Sequence, residues 1–172
     1  VIVGPKKDPA KIKKVDSINV ALKRIVNSHS TFVSRGDDSG TYRKELDLWL
    51  MADKLPNPKE NNWYLSVGQG MGGALNIAIN KNAYILSDRA TWESFKNKAE
   101  HDVLVSNQPI LLNYYGVIPI SKKKCPNAKL DLAKIFIEWL LSNKTGELIN
   151  NFRVNNKQLF FFWDVLLTLS HL

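Results

Sequence analysis

Short β-branched runs alternate with helix-period segments from Val1 to about Val105, and few folds accept that order. Val1–Val3, stopped by Gly4-Pro5, reads as a strand, as do Thr31–Val33, Trp63–Val67, Ala83–Leu86 and Val103–Val105. Between them, Ile12, Val15, Ile18, Leu22 and Ile25 recur at helical spacing behind Asp8-Pro9, an expected N-cap with proline at the first helical position. Leu46, Trp49 and Leu50 mark the apolar side of a second helix, Leu75, Ala78 and Ile79 a short third, and Thr91–Lys98 a fourth. Strands that alternate with helices imply an α/β fold with a mainly parallel sheet. Ile110–Ile120 is expected to cross between lobes or to form a core strand. Leu130–Leu141 is the clearest helix, and Thr145–Phe152 continues helically. The apolar end from Leu159 to Leu172 predicts a final helix docked on the core, being shorter than the ~20 residues a bilayer requires.

Composition narrows the function classes. The 172 residues suit one domain or two small lobes, and 44% hydrophobic content is enough to bury a core. The formal charge is +8, but the lysines are scattered, no arginine-rich arm exists, and aromatics are not interleaved with the basic runs. Nucleic acid is therefore not expected as a partner, while a net positive field helps to attract a small anion. A single cysteine, Cys125, excludes an internal disulfide, and His29, His101 and His171 lack metal-ligand spacing. All three histidines read as surface or end-of-element residues, and no metal is expected. The chain opens at Val1 without a signal-peptide pattern, as a processed or partial chain does.

The polar segment Ser34-Arg35-Gly36-Asp37-Asp38-Ser39-Gly40-Thr41 joins a strand end to a helix start. The first turn of a helix leaves backbone N–H groups unpaired, and with the helix dipole these can hold a small anion. Gly36 and Gly40 allow close backbone approach, Ser39 and Thr41 add hydroxyl donors, and Arg35 adds a planar cation with paired donors. A charge-assisted hydrogen bond contributes roughly 1.5–3 kcal/mol, whereas nanomolar affinity needs about 12, so several donors must converge. The same residues also suit a plain capped helix, with Arg35 paired to Asp37 or Asp38.

A second pattern competes. Gly68-Gln69-Gly70-Met71-Gly72-Gly73 fits G-x-G-x-x-G between a strand and a helix, and Asp88 follows the next strand. This defines the alternative of a dinucleotide-binding oxidoreductase domain built on the Gly68–Gly73 turn. Against it stand a short following helix, no hydride-transfer set, and Arg89 directly beside Asp88. No nucleophile–base pair emerges, so no catalytic residue is assigned and a non-enzyme is expected.

Phe32 to Thr41 followed by Glu45 and Trp49, Trp63-Tyr64 with Gly68 to Gly72, Ala83-Tyr84 with Asp88-Arg89, and Asn113 to Val117 occur in one consistent order. Together with Val1 to Pro5 and the stretch from Gly146 to Phe160, they make the chain resemble the tungstate-binding (TupA-type) solute-binding proteins of ABC transporters. The resemblance implies a periplasmic-binding-protein-like (type II) two-lobed α/β fold with an incomplete first lobe. Residues 1–108 would form mainly the second lobe with the oxyanion-binding loop. Residues 109–172 would provide the return crossing and C-terminal helices packing on the first lobe. It implies binding of tungstate or molybdate without catalysis and without a cofactor, delivery to a membrane permease, a monomer, and an extracytoplasmic location. Arg35, Ser39, Gly40, Thr41 and Arg89 would hold the anion, with Ser34, Gly36, Asp37, Asp88 and Gly70 in support. Asp37 and Asp88 would orient the arginines. The tail after Phe160 and the spacer Pro56–Asn62 depart from the family pattern.

Overall fold

The computed structural model describes residues 1–162, and these divide into two compact units, 1–112 and 113–162 among the described residues. The first unit carries β1 (Ile2–Pro5), α1 (Ile18–Asn27), β2 (Phe32–Ser34), α2 (Gly40–Met51), β3 (Tyr64–Ser66), α3 (Met71–Asn80), β4 (Tyr84–Leu86), α4 (Arg89–Ser94) and β5 (His101–Val105). The strands form one sheet in the order β3-β2-β4-β1-β5. β2 pairs in parallel with β3 and β4, whereas β1 runs antiparallel to both β4 and β5. Four strands thus point one way and β1 points the other. This is the mixed, parallel-dominated sheet that the alternating sequence requires.

Period-2 side chains divide the core between the two faces of the sheet. Phe32, Tyr64, Tyr84 and Leu86 pack with α1 and α2 on one face, while Val33, Ile85 and Val3 pack with α3 and Trp92 of α4 on the other. Phe32, Trp49, Trp63 and Tyr64 form an aromatic cluster with ring centroids 5.1–6.2 Å apart. At Gly4 the β1 backbone runs against the Tyr84 ring, where a Cβ would lie 2.4 Å from Cδ1. The Tyr84 hydroxyl donates to Asp8 Oδ1 and accepts from Ala10 N–H, both at 2.9 Å.

Several expected elements move. β1 continues through Gly4 and Pro5, and the first helix begins at Ile18 behind an N-cap at Ser17, not at Asp8. Asp8, Lys11 and Lys14 all adopt positive φ, which breaks any helix there. The Asp8 carboxylate instead closes a turn by accepting from Ile12 and Lys13 N–H at 3.0 and 2.8 Å. The buried side of α2 is Glu45, Leu48 and Trp49, with Leu50 more than half exposed. The third helix is ten residues long and takes in Gly72 and Gly73, and the fourth ends at Ser94.

The second unit contains α5 (Leu130–Leu140), α6 (Asn143–Asn151) and the short hairpin of β6 (Arg153–Val154) and β7 (Lys157–Gln158). No core strand forms from Ile110 to Ile120. A 3-10 turn spans Pro109–Leu111, and the following segment exposes Tyr114, Tyr115 and Ile118. α5 buries no residue, so Leu132, Ile135, Phe136 and Trp139 leave an apolar face open. The final helix expected through Leu172 falls largely on 163–172, outside the described residues. Among the described residues no helix is long and apolar enough to cross a membrane.

Candidate oxyanion site

Parallel strands deliver their carboxyl ends to one edge of a sheet, and ligands of open α/β folds bind where neighbouring strands send their helices to opposite faces. That happens around β2. Its exit leads to α2 on one face, while the flanking strands β3 and β4 lead to α3 and α4 on the other. The three connections, 35–39, 67–70 and 87–88, therefore emerge side by side, with neighbouring strands ~4.8 Å apart.

The first connection is tightly determined. Gly36 sits at φ +59°, and a Cβ there would come within 2.1 Å of Ser66 Oγ on β3. Val67 N–H donates to Ser34 O and Gln69 N–H to Arg35 O, at 3.0 and 3.1 Å, tying the glycine turn alongside the Arg35 loop. Arg35 Nη2 pairs with Asp37 Oδ2 at 2.5 Å, and only 16% of the arginine side chain is exposed. Arg35 Nε is buried and makes no hydrogen bond. The Ser39 hydroxyl, followed by Arg35, holds the Asp37 carboxyl below its ordinary range. Ser39 caps α2 by accepting from Tyr42 N–H at 3.2 Å, so Gly40 and Thr41 are its first two residues. The capped helix and the Arg35–Asp37 pair are thus both present, in a geometry that leaves the N–H groups of the first turn at the edge.

The other two connections differ in what they leave open. Gly70 is the N-cap residue of α3 and offers no side-chain cap, which leaves the opening N–H groups of that ten-residue helix without a capping side chain. Asp88 caps α4, accepting from Thr91 N–H and from Thr91 Oγ1, each at 2.7 Å. It does not hold Arg89, contrary to the role the resemblance implied. Arg89 Nη2 instead reaches Asn107 Oδ1 at 3.3 Å, just after β5. The engaged carboxylate also undermines the dinucleotide alternative, because that fingerprint needs an acidic side chain free for ribose hydroxyls.

Below the loop lies a network that motif reading missed. Glu45 Oε1 accepts from the Tyr64 hydroxyl at 2.7 Å and from Trp49 Nε1 at 3.2 Å, all in the interior. Burial pushes the Glu45 carboxyl up to about 7, against the opposing effect of Tyr64, Ser34 and Trp49. The Ser34 hydroxyl is wholly buried at the edge of this network without a hydrogen bond of normal geometry. Burial and the neighbouring Glu45 charge push the Tyr64 hydroxyl well above the usual phenol range. The i, i+4 spacing of Glu45 and Trp49 was the available signal. Asn107 and Ser66 carried no sequence signal, since their partners are distant in the chain.

Comparison with known proteins places this geometry in context. A family model described as a PBP superfamily domain matches residues 1–144. The tungstate-binding protein TupA of Peptoclostridium acidaminophilum is 42% identical over 154 residues, which are 88% of this chain and 53% of that protein. A putative ABC transporter anion-binding protein of Haloferax volcanii is 39% identical over 166 residues, 94% of this chain and 48% of its own. The solved structure of the tungstate-binding protein TupA from Desulfovibrio alaskensis G20 superposes with a TM-score of 0.82 at 38% identity, covering 94% of this chain and 65% of that one. The chain spans about half the length of the curated relatives it matches.

Proposed function

The chain belongs to the PBP superfamily, and from that premise we propose that it binds a tetrahedral oxyanion, tungstate or molybdate, for delivery to an ABC importer outside the cytoplasm. The observation that carries this reading is the convergence at the exit of β2. There Arg35, with a buried and unpartnered Nε, stands beside the first turn of α2, and the uncapped start of α3 lies on the adjoining connection. Arg35, Ser39, Gly40 and Thr41 grip the anion, and Arg89 supplies the second cation from the neighbouring strand exit. Asp37 presets the Arg35 fork, Gly36 and Ser34 shape the loop, and Gly70 opens α3 towards the ligand. The reading involves no chemical step: the protein closes on the anion as a monomer and releases it to a permease. The names of its relatives, tungstate-binding and transporter anion-binding, support the ligand and the partner.

Calorimetric titration with tungstate, molybdate, sulfate and phosphate tests the reading. One-to-one binding of tungstate is expected, weakened at least ~30-fold in Arg35→Ala by the loss of charge-assisted bonds. A folded chain that binds none of the four anions would overturn it.

A further inference from the structure

Glu45 is a carboxylate that the oxyanion reading leaves without a task. It is 3% exposed, and among the described residues no cation forms an ion pair with it. The groups around it are few. β2 presents Ser34, whose buried Oγ lacks a hydrogen-bond partner, and β3 presents Tyr64. α2 itself presents Trp49, with Tyr42 in electrostatic reach of Tyr64. α1 packs on α2, and its buried residues are the apolar Ile18, Ala21, Leu22 and Ile25. The charges nearest in sequence lie on α2 itself: Lys44 is half-buried, Asp47 is exposed, and the exposed Arg43 pairs with Asp38, while Arg35 and Asp37 pair with each other in the loop above.

An anion seated at the start of α2 would lie about 10 Å from Glu45, since six residues of helix separate Ser39 from it at ~1.5 Å each. Glu45 is buried at the inner end of that interval, so repulsion between the two negative groups is screened less than it would be between two exposed charges. We propose that Glu45 couples oxyanion capture to proton uptake, its carboxyl being neutral when the anion is bound and able to ionise when the site is empty. The inference rests on the oxyanion reading and deepens it. Oε2, the oxygen not engaged by Tyr64 and Trp49, takes the proton from solvent.

Linkage fixes the sign. A bound anion raises the proton affinity of Glu45, and the proton raises the anion affinity by the same factor. Burial already holds the empty-site carboxyl at about 7. Below about pH 6 both states are protonated and no proton moves, while affinity falls as pH rises from there.

The measurement is calorimetric titration with tungstate in Hepes and in Tris, whose ionisation enthalpies differ. Uptake of ~0.5 proton per anion is expected at pH 7.5 and almost none at pH 6, with a roughly tenfold loss of affinity between pH 6 and 9. Glu45→Gln should bind with no uptake and a flat profile. Binding without proton uptake in the parent chain, or uptake that survives in Glu45→Gln, overturns the proposal while leaving the oxyanion reading intact. Absence of all binding overturns both. Should Glu45→Gln not fold, Tyr64→Phe removes a bond that favours the charged carboxylate and must move the uptake window to higher pH. An unmoved window also overturns the proposal.

Discussion

Gly36 shows how one residue fixes the candidate site. Its positive φ sends the chain from β2 into the α2 entry, and Ser66 fills the space a side chain would need. Gly36→Ala should cost ~1–3 kcal/mol in urea unfolding through backbone strain and the clash together. Adding Ser66→Gly should recover only part of the loss, because the strained φ remains; full recovery would show that the clash alone mattered. The glycine, the arginine and the capping serine were all visible in the string Ser34 to Thr41. Which acidic side chain holds Arg35 stayed open in the residues themselves, where Asp37 and Asp38 are equivalent, and only the resemblance implied Asp37. The loop geometry separates them: Asp37 faces Arg35, and Asp38 turns outward to Arg43 with Oδ1 3.1 Å from Nη2.

Among the elements, α2, α3 and α4 begin at the same sheet edge but with different chemistry. The Asp88 cap satisfies the start of α4 from within, so that helix contributes its first residue, Arg89, rather than free N–H groups. Asp88→Ala should cost ~1–2 kcal/mol of stability, the ordinary cost of a lost cap. It should weaken tungstate binding less than Arg35→Ala does. An equal or greater loss in the same titrations would return Asp88 to the anion site. Helix existence was legible from periodicity, and helix starts were less so. Asp8-Pro9 carries the expected signal for the first helix, yet the eight residues Ala10 to Ser17 still precede its real start at Ile18. Ser17 and Gln108 decide that start: Gln108 Oε1 accepts from Ile18 N–H at 2.7 Å across the fold, a contact absent from any local window.

For the whole molecule, two buried titratable groups set opposite pH slopes. Burial lowers the pKa of His101, so its neutral form is favoured in the fold and stability is lost as pH falls below about 6.5, where the unfolded chain protonates. Glu45 has a folded value of about 7 against an ordinary 4.5, so stability is lost as pH rises between them. The shift corresponds to at most ~3 kcal/mol once the carboxyl is charged. Urea unfolding of Glu45→Gln against the parent chain should therefore show a stabilisation that grows from pH 5 to pH 8. A difference independent of pH would mean that the folded Glu45 carboxyl is already ionised at pH 5. The two ends of the sheet hold these groups, with Glu45 beneath the ligand edge and His101 opening β5 at the other.

The sequence by itself determined the α/β class, the strand–loop–helix that can hold an anion, and the family. Each of these is written in neighbouring residues, through hydrophobic period, glycine placement and helix-start chemistry. Tertiary structure alone decided the rest. It reversed β1 against its neighbours, placed three loops at one edge, assigned Arg89 to Asn107, and set an uncompensated carboxylate beneath Ser34. It also left the Ile110–Ile120 run outside any sheet, although its apolar composition favours a strand. The physical reason is common to all of these. Strand order, cross-chain hydrogen bonds and burial depend on which distant surfaces meet, and a local pattern states only that a surface is apolar or polar.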